Sequence, residues 1–173
     1  MPFVRSFAPL ARADARVLIL GSMPGEASLA AGRYYAHPRN AFWPLLATLC
    51  GFDANAPYAE RTRALQRHRI AVWDVLQSCE RDGSLDSDID AASQRVNDFA
   101  PFLAQHPDIT TILCNGGTAH RLFVRLVVPS LPTERALRIG PVPSTSPAHA
   151  SRSLAQKLAA WRVALAPCLR CEA

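Results

Sequence analysis

The chain has almost no lysine. Among its 19 lysines and arginines only Lys157 is a lysine, so nearly all positive charge sits on guanidinium forks, whose bidentate geometry suits phosphate oxygens. A disulfide framework is missing too: the five cysteines, Cys50, Cys79, Cys114, Cys168 and Cys171, are odd in number and scattered, which excludes a small cross-linked secreted scaffold. No apolar run is long enough to span a membrane. The opening MPFVRSFAPLARADARV lacks the long apolar segment of an export signal, so a soluble, cytoplasmic protein with no membrane partner is expected. Repeats and low-complexity tracts are also absent, as is the Gly-x-Ser-x-Gly pattern of a nucleophile elbow.

What is present is ordinary globular material. With 173 residues, 49% hydrophobic and 19% charged, the chain can bury a proper core, and we expect one domain over residues 1–173. The net charge of +5 and pI near 9.3 permit a nucleic-acid partner without proving one. An arginine-rich proteome that replaced surface lysine would give the same bias.

The pattern along the chain predicts alternating strands and helices. The first fifteen residues read as a lead-in. Residues 16–20 form a first strand, an aliphatic run ending at Gly21. A loop of about twenty residues follows, longer than most strand-to-helix connections and therefore a candidate site. Residues 40–49 predict a helix stopped by Gly51, with Pro44 tolerated in its first turn. A second helix is expected over 58–68, with Ala64 and Leu65 inward, and a second strand over 70–75. The segment QSCERDGSLDSDI reads as a polar loop. A helix from residue 97 or 98 to 105, a strand over 109–114, a helix over 118–127 ended by Pro129, a strand over 135–139 and a helix over 154–165 complete the series. Such alternation indicates a three-layer α/β/α fold around a central four-stranded parallel sheet.

In a parallel sheet the loops leaving the carboxyl ends of the strands share one edge, where ligands bind. That juxtaposes residues 21–40, 74–89, 115–118 and 141–149, which supply carboxylates, amides, hydroxyls, histidines and backbone N–H groups.

Three of these stretches carry a resemblance. GSMPG (Gly21, Ser22, Met23, Pro24, Gly25) followed by YYAHPRNAFW, then WDVLQSCERDGSLDS and the late PSTSPAH, resemble the uracil-DNA glycosylase superfamily. The mismatch-specific uracil glycosylases have a similar GINPG and FAHPxNRFW, and the hypoxanthine-DNA (deoxyinosine) glycosylase branch is the nearer match. The resemblance covers nearly the whole chain. It implies a monofunctional enzyme of base excision repair that removes a deaminated base from DNA, acts as a monomer and needs no cofactor. Such an enzyme must extrude the base, stack it, read its edge, hold phosphates and position water.

On that likeness Tyr35 is the stacking aromatic, because it precedes Ala-His-Pro as the family's aromatic does, and Tyr34 is loop packing. Gly21–Gly25, His37, Asp74 and Asn115 would line the base and sugar. Arg39, Ser144, Thr145, Ser146 and His149 would meet the DNA backbone or duplex, aided by N–H groups of the helix near Asn40 and of the Ser-Thr-Ser-Pro turn. One departure matters. Most of the superfamily has Asp or Asn before the first-motif proline, where this chain has Met23, a thioether that cannot accept a proton. The resembled branch gives the water-handling role to the asparagine of HPRN, here Asn40. An amide is no general base near neutral pH, so catalysis would lean on electrostatic stabilisation.

Each assignment has a plainer alternative. Asn40 could simply cap a helix, and Phe42 and Trp43 read as core. Ser144, Thr145 and Ser146 could be turn residues between prolines. Asp74 could cap the following loop, His149 could be a solvated histidine, and Asn115 before Gly-Gly could be a turn residue. Cys168-Leu169-Arg170-Cys171 is half a metal knuckle without a second pair, so no metal is expected. Two other functions remain open: a catalytically idle nucleic-acid-binding module, and a serine hydrolase using Ser22 or Ser144 with His149 and Asp74.

Overall fold

The computed structural model describes residues 1–169. The lead-in is partly structured: β1 (Phe3–Arg5) pairs antiparallel with a later strand. It is followed by β2 (Val17–Gly21), whose five residues are all buried. The long loop after β2 is not continuous coil, because it contains a short helix, α1 (Glu26–Ala31). Next come α2 (Phe42–Cys50) and α3 (Tyr58–Arg67). Gly51 ends α2 in the left-handed region (φ +74°), its N–H bonded to the Ala47 carbonyl at 2.8 Å, the backbone state that glycine adopts without strain. Then β3 (Ile70–Asp74) runs almost directly into β4 (Leu76–Glu80).

The segment expected to be a polar loop therefore begins as strand, over residues 77–80. β4 lies between β1 and β5 (Arg95–Val96) in a small antiparallel sheet, and its burial alternates at first, with Leu76 and Ser78 in and Gln77 out, until Cys79, also buried, breaks the pattern. The rest of the chain supplies α4 (Phe99–Gln105), β6 (Thr111–Asn115), α5 (Gly117–Leu126), β7 (Arg138–Val142) and α6 (Leu154–Leu169). The last strand starts three residues later than the sequence pattern implied. Arg135 precedes it because its guanidinium is bonded to the Leu103, His106 and Ile109 carbonyls.

The main sheet is four-stranded and parallel, in the order β3-β2-β6-β7. Side-chain alternation along its strands sorts the helices into layers. Leu18, Leu20, Ala71, Trp73, Ile112 and Cys114 face α4 and α5, through Phe99, Phe102, Leu122 and Phe123. Val17, Ile19, Ile70, Val72 and Leu113 face α2, α3 and α6, through Phe42, Leu46, Leu65, Trp161 and Leu165. Each fully buried aliphatic or aromatic side chain contributes roughly 1.5–3 kcal/mol, so both faces are firmly covered. This three-layer arrangement brings the carboxyl ends of all four strands to one edge. Gly21 lies beside Asp74 in register, and Asn115 beside Val142.

Candidate active site

A cavity of about 620 Å³ opens at that edge. Its walls come from the loops after β2, β4, β6 and β7 together with Asp74 at the tip of β3. Of the residues singled out from sequence, Gly21, Ser22, Met23, Pro24, Gly25, Tyr35, His37, Asn40, Asp74, Asn115, Ser144, Thr145, Ser146 and His149 all line it. Arg39 does not; it is exposed, outside the lining.

The two tyrosines divide as their neighbours dictate. Tyr34 is built into the core: its hydroxyl donates to the Ala8 carbonyl at 2.8 Å, its N–H to the Tyr58 hydroxyl at 3.1 Å, and its carbonyl accepts from the Trp43 indole at 3.0 Å. Tyr35 stands in the left-handed region (φ +54°), a conformation that costs a non-glycine residue of order 1–3 kcal/mol. Stacking on Phe42, with centroids 3.9 Å apart and planes 16° from parallel, returns about 0.5–1.5 kcal/mol. One face of Tyr35 is thus fixed on Phe42, and the residue lines the cavity as a braced aromatic wall.

Asn40 stands just before Ala41, the N-cap of α2, and its Oδ1 accepts from the Phe42 N–H at 3.0 Å. That bond fixes the amide orientation, leaving the second Oδ1 lone pair and the Nδ2 donors for a ligand or water. His37 accepts the Arg39 N–H on Nδ1 at 3.1 Å, which makes Nε2 the protonated nitrogen of the neutral ring. Met23 is 6% exposed and belongs to the apolar cluster with Leu20 and Trp73. A thioether at this position therefore serves core packing as well as the cavity wall.

Two expected contact residues act as fasteners. Thr145 is 1% exposed; its N–H donates to Asn115 Oδ1 and its Oγ1 accepts from Asn115 Nδ2, both at 2.9 Å. Its carbonyl accepts the Ala41 N–H at 2.9 Å. Thr145 thus ties the loop after β7 to the end of β6 and the start of α2. Asn115 is correspondingly a clamp. Ser144 and Ser146 carry the turn itself, accepting the Ser146 and Ala148 N–H groups at 3.2 Å each. Neither Ser22 nor Ser144 bonds to a histidine: Ser22 donates to Asp86, and the hydroxyl near His149 Nε2, at 3.4 Å, is that of Ser151. The serine-hydrolase constellation is not assembled.

Sequence reasoning singled out Asp74 but missed the charged groups around it, Arg81 and Asp86. Asp74 is 4% exposed, and its Oδ2 is buried with no hydrogen-bond partner. The Tyr35 hydroxyl beside it is likewise unpartnered. Burial, the charge of Asp74 and, further off, that of Asp86 push that phenol above its ordinary range, offset a little by the neighbouring Asn115 amide. Asp86 accepts from Ser22 Oγ at 2.5 Å. Arg81, 1% exposed, donates to the Pro24 carbonyl while its Nε and Nη1 stay unpaired. Burial first, then the nearby Asp86 charge, pushes the Asp74 carboxyl up to about 7, with Arg81 pulling the other way. Burial also raises Asp86, opposed by its Ser22 bond and by Arg81 and Arg121. The one available signal was a lone arginine in the otherwise acidic run from Glu80 to Asp90. Gly21 is required here, because a Cβ on it would stand 2.5 Å from Asp74 Oδ1.

Cys168 is half-buried and Cys171 lies outside the described residues. Among the described residues no group of three His, Cys, Asp or Glu side chains could hold a metal ion, and no helix is long and apolar enough to cross a membrane.

Comparison with known proteins agrees with this geometry. Hypoxanthine DNA glycosylase of Methanosarcina barkeri is 35% identical over 113 residues, covering 65% of this chain and 70% of the relative. The Methanosarcina acetivorans protein of the same name is 33% identical over 116 residues, covering 66% and 72%. A solution NMR structure from Methanosarcina acetivorans, described as a candidate uracil DNA glycosylase, superposes with a TM-score of 0.74 at 28% identity, over 94% of this chain and 98% of that one. The family model of the uracil DNA glycosylase superfamily matches residues 8–166. That span takes in all four strands of the parallel sheet and every loop of the cavity, and the chain belongs to the uracil DNA glycosylase superfamily.

Proposed function

We propose that the protein is a monofunctional DNA glycosylase that hydrolyses the N-glycosidic bond of deaminated bases, hypoxanthine first, with uracil and xanthine as further candidates. The observation that carries this reading is the composition of the cavity. An aromatic wall braced from behind stands beside a buried floor whose polar atoms lack partners, and a flipped base offers both a flat face and a polar edge. The curated relatives that match are named for hypoxanthine, which sets the order of substrates.

In this reading the extruded base lies along Tyr35 with its edge toward Asp74 and the Tyr35 hydroxyl. The sugar remains nearer the loop that carries Asn40. Cleavage at C1′ passes through an oxocarbenium-like state, and Asn40 holds the incoming water with its remaining lone pair. Asn115 and Thr145 already hold one another, and Asn40 is held by the Phe42 N–H, so little reorganisation is needed as charge develops. Arg39 and His149 would meet the DNA on the outside.

The test is abasic-site formation, read as alkali-labile strand breaks, on an oligonucleotide carrying one deoxyinosine. Wild-type protein in excess should release hypoxanthine, and Asn40→Ala should do so at least about tenfold more slowly, with DNA binding within a few-fold. Binding without any abasic site would instead identify an idle nucleic-acid-binding module.

A further inference from the structure

We infer that Asp74 is the general acid of the reaction, protonating N7 of the departing purine as the bond from C1′ to N9 breaks. The inference rests on the proposed function and adds a catalytic group to it. Loss of the carboxylate at position 23 left the site seemingly without acid–base chemistry. The fold supplies a carboxyl from another strand.

Three observations point to an acid rather than a water-activating base. The first is position. Asp74 ends β3 beneath Gly21, at the buried end of the cavity next to the Tyr35 hydroxyl. In the proposed binding mode the extruded base lies at that end, while the sugar and its water stay by Asn40. The second is availability: Asp74 lines the cavity and its Oδ2 is buried without a hydrogen-bond partner, so the carboxyl is not committed to holding the fold. The third is protonation. The titratable and charged groups facing Asp74 are Asp86 and Arg81 from the segment after β4, and the Tyr34 and Tyr35 hydroxyls from the loop after β2. Asp86 has the Ser22 hydroxyl to stabilise its charge and Asp74 has no such donor. Where two carboxyls share one enclosed site, the proton resides on the less solvated one. Burial and the Asp86 charge raise Asp74 to about 7, so it carries a proton on the acid side of neutrality.

The step balances. The carboxyl proton moves to N7, the bonding electrons of C1′–N9 stay with the base, and hypoxanthine leaves neutral. Water adds at C1′, and its surplus proton returns to the Asp74 carboxylate or to solvent. A purine offers N7 as the receiving atom, which a pyrimidine lacks.

Two measurements test this. Asp74→Asn keeps the size and hydrogen-bonding capacity of the side chain but has no proton to transfer. Its single-turnover excision of hypoxanthine at pH 6 should fall about a hundredfold, within the usual range for a general acid. The fall of the wild-type rate above about pH 7 should disappear, leaving a flat profile. The second measurement needs no variant: wild-type protein is given the same oligonucleotide with 7-deaza-2′-deoxyinosine, which lacks N7. Excision should be at least about a hundredfold slower than from deoxyinosine, by the same general-acid range. The inference is overturned if Asp74→Asn works within about threefold of wild type, if it retains the wild-type pH profile, or if the 7-deaza base is released at a comparable rate. Should the variant be too slow for a profile, the 7-deaza comparison decides alone. Failure of the wild type on deoxyinosine itself would remove the proposed function first, and this inference with it.

Discussion

The mouth and the floor of the cavity are built on opposite principles. At the mouth, polar groups find partners: Asn40 accepts the Phe42 N–H at the start of α2, Asn115 and Thr145 exchange two hydrogen bonds, and Ser144 and Ser146 hold their own turn. At the floor, Asp74 Oδ2, the Tyr35 hydroxyl and two nitrogens of Arg81 are buried without partners. A buried polar atom without a hydrogen bond commonly costs about 1–3 kcal/mol, so a chain tolerates several together only where something else repays them. The difference assigns the two regions separate tasks. Under the proposed function the mouth frames backbone and sugar, and the unsatisfied floor receives the base.

Substitutions should expose that division, and the largest effect is expected where the floor is displaced without touching its chemistry. In Gly21→Ala the new Cβ would meet Asp74 Oδ1 at 2.5 Å, so the carboxyl must move. Misplacement of a reacting group by about 1 Å can cost roughly a hundredfold in rate, and we expect a loss of that order in single-turnover excision with a melting temperature close to wild type. A mouth substitution should behave differently. Asn115→Ala frees the loop after β7 and leaves the buried Thr145 N–H unpaired, a loss of about 1–3 kcal/mol. Its signature should be lower thermal stability and weaker DNA binding, with the pH profile of the chemical step unchanged.

A subtler change separates the two carboxyls. Asp86→Asn keeps an oxygen for the Ser22 hydroxyl but removes the charge that raises Asp74. The descending limb of the rate should therefore move to lower pH. A limb that stays in place would assign the pH dependence to another group. The smallest expected effect is on stability. The Asp74 carboxyl is raised from 3.8 to about 7 by folding, so the folded state holds a proton that the unfolded state releases. Its contribution is fully present below pH 3.8 and is lost as pH rises through 7. Asp74→Asn has no such proton, and its stability should gain on wild type across that window and keep the advantage at pH 8, as thermal melts at several pH values would show.

The same division explains what could be read from the sequence. The sheet was legible because four aliphatic runs, each broken by a turn, leave little choice of fold, and Gly51 stops α2 just as a glycine should. The mouth was legible because its residues cluster in three short motifs. The small sheet was not, since β4 breaks the period-two burial pattern with Ser78 and Cys79 both buried and ends at Glu80, giving it the polarity of a loop. Nor was the clamp between Asn115 and Thr145, which joins positions thirty residues apart. The floor was least visible of all. Asp74 stood out as a strand-end carboxylate, but Arg81 and Asp86 lie in a stretch with the polarity of a loop, and only the tertiary fold brings Arg81 under Pro24 and Asp86 against Ser22. Met23 has a second role that its sequence position did not show: it lines the cavity and also packs in the core.

The central claim, that the floor receives the base, is tested most directly by a crystal structure of Asn40→Ala bound to a duplex containing one 2′-fluoro-2′-deoxyinosine, an analogue resistant to cleavage. The account predicts the purine out of the helix and inside the cavity, one face on Tyr35 and N7 within hydrogen-bond distance of Asp74 Oδ2. A purine that remains stacked in the duplex, or that enters the cavity with N7 turned away from Asp74, would contradict it.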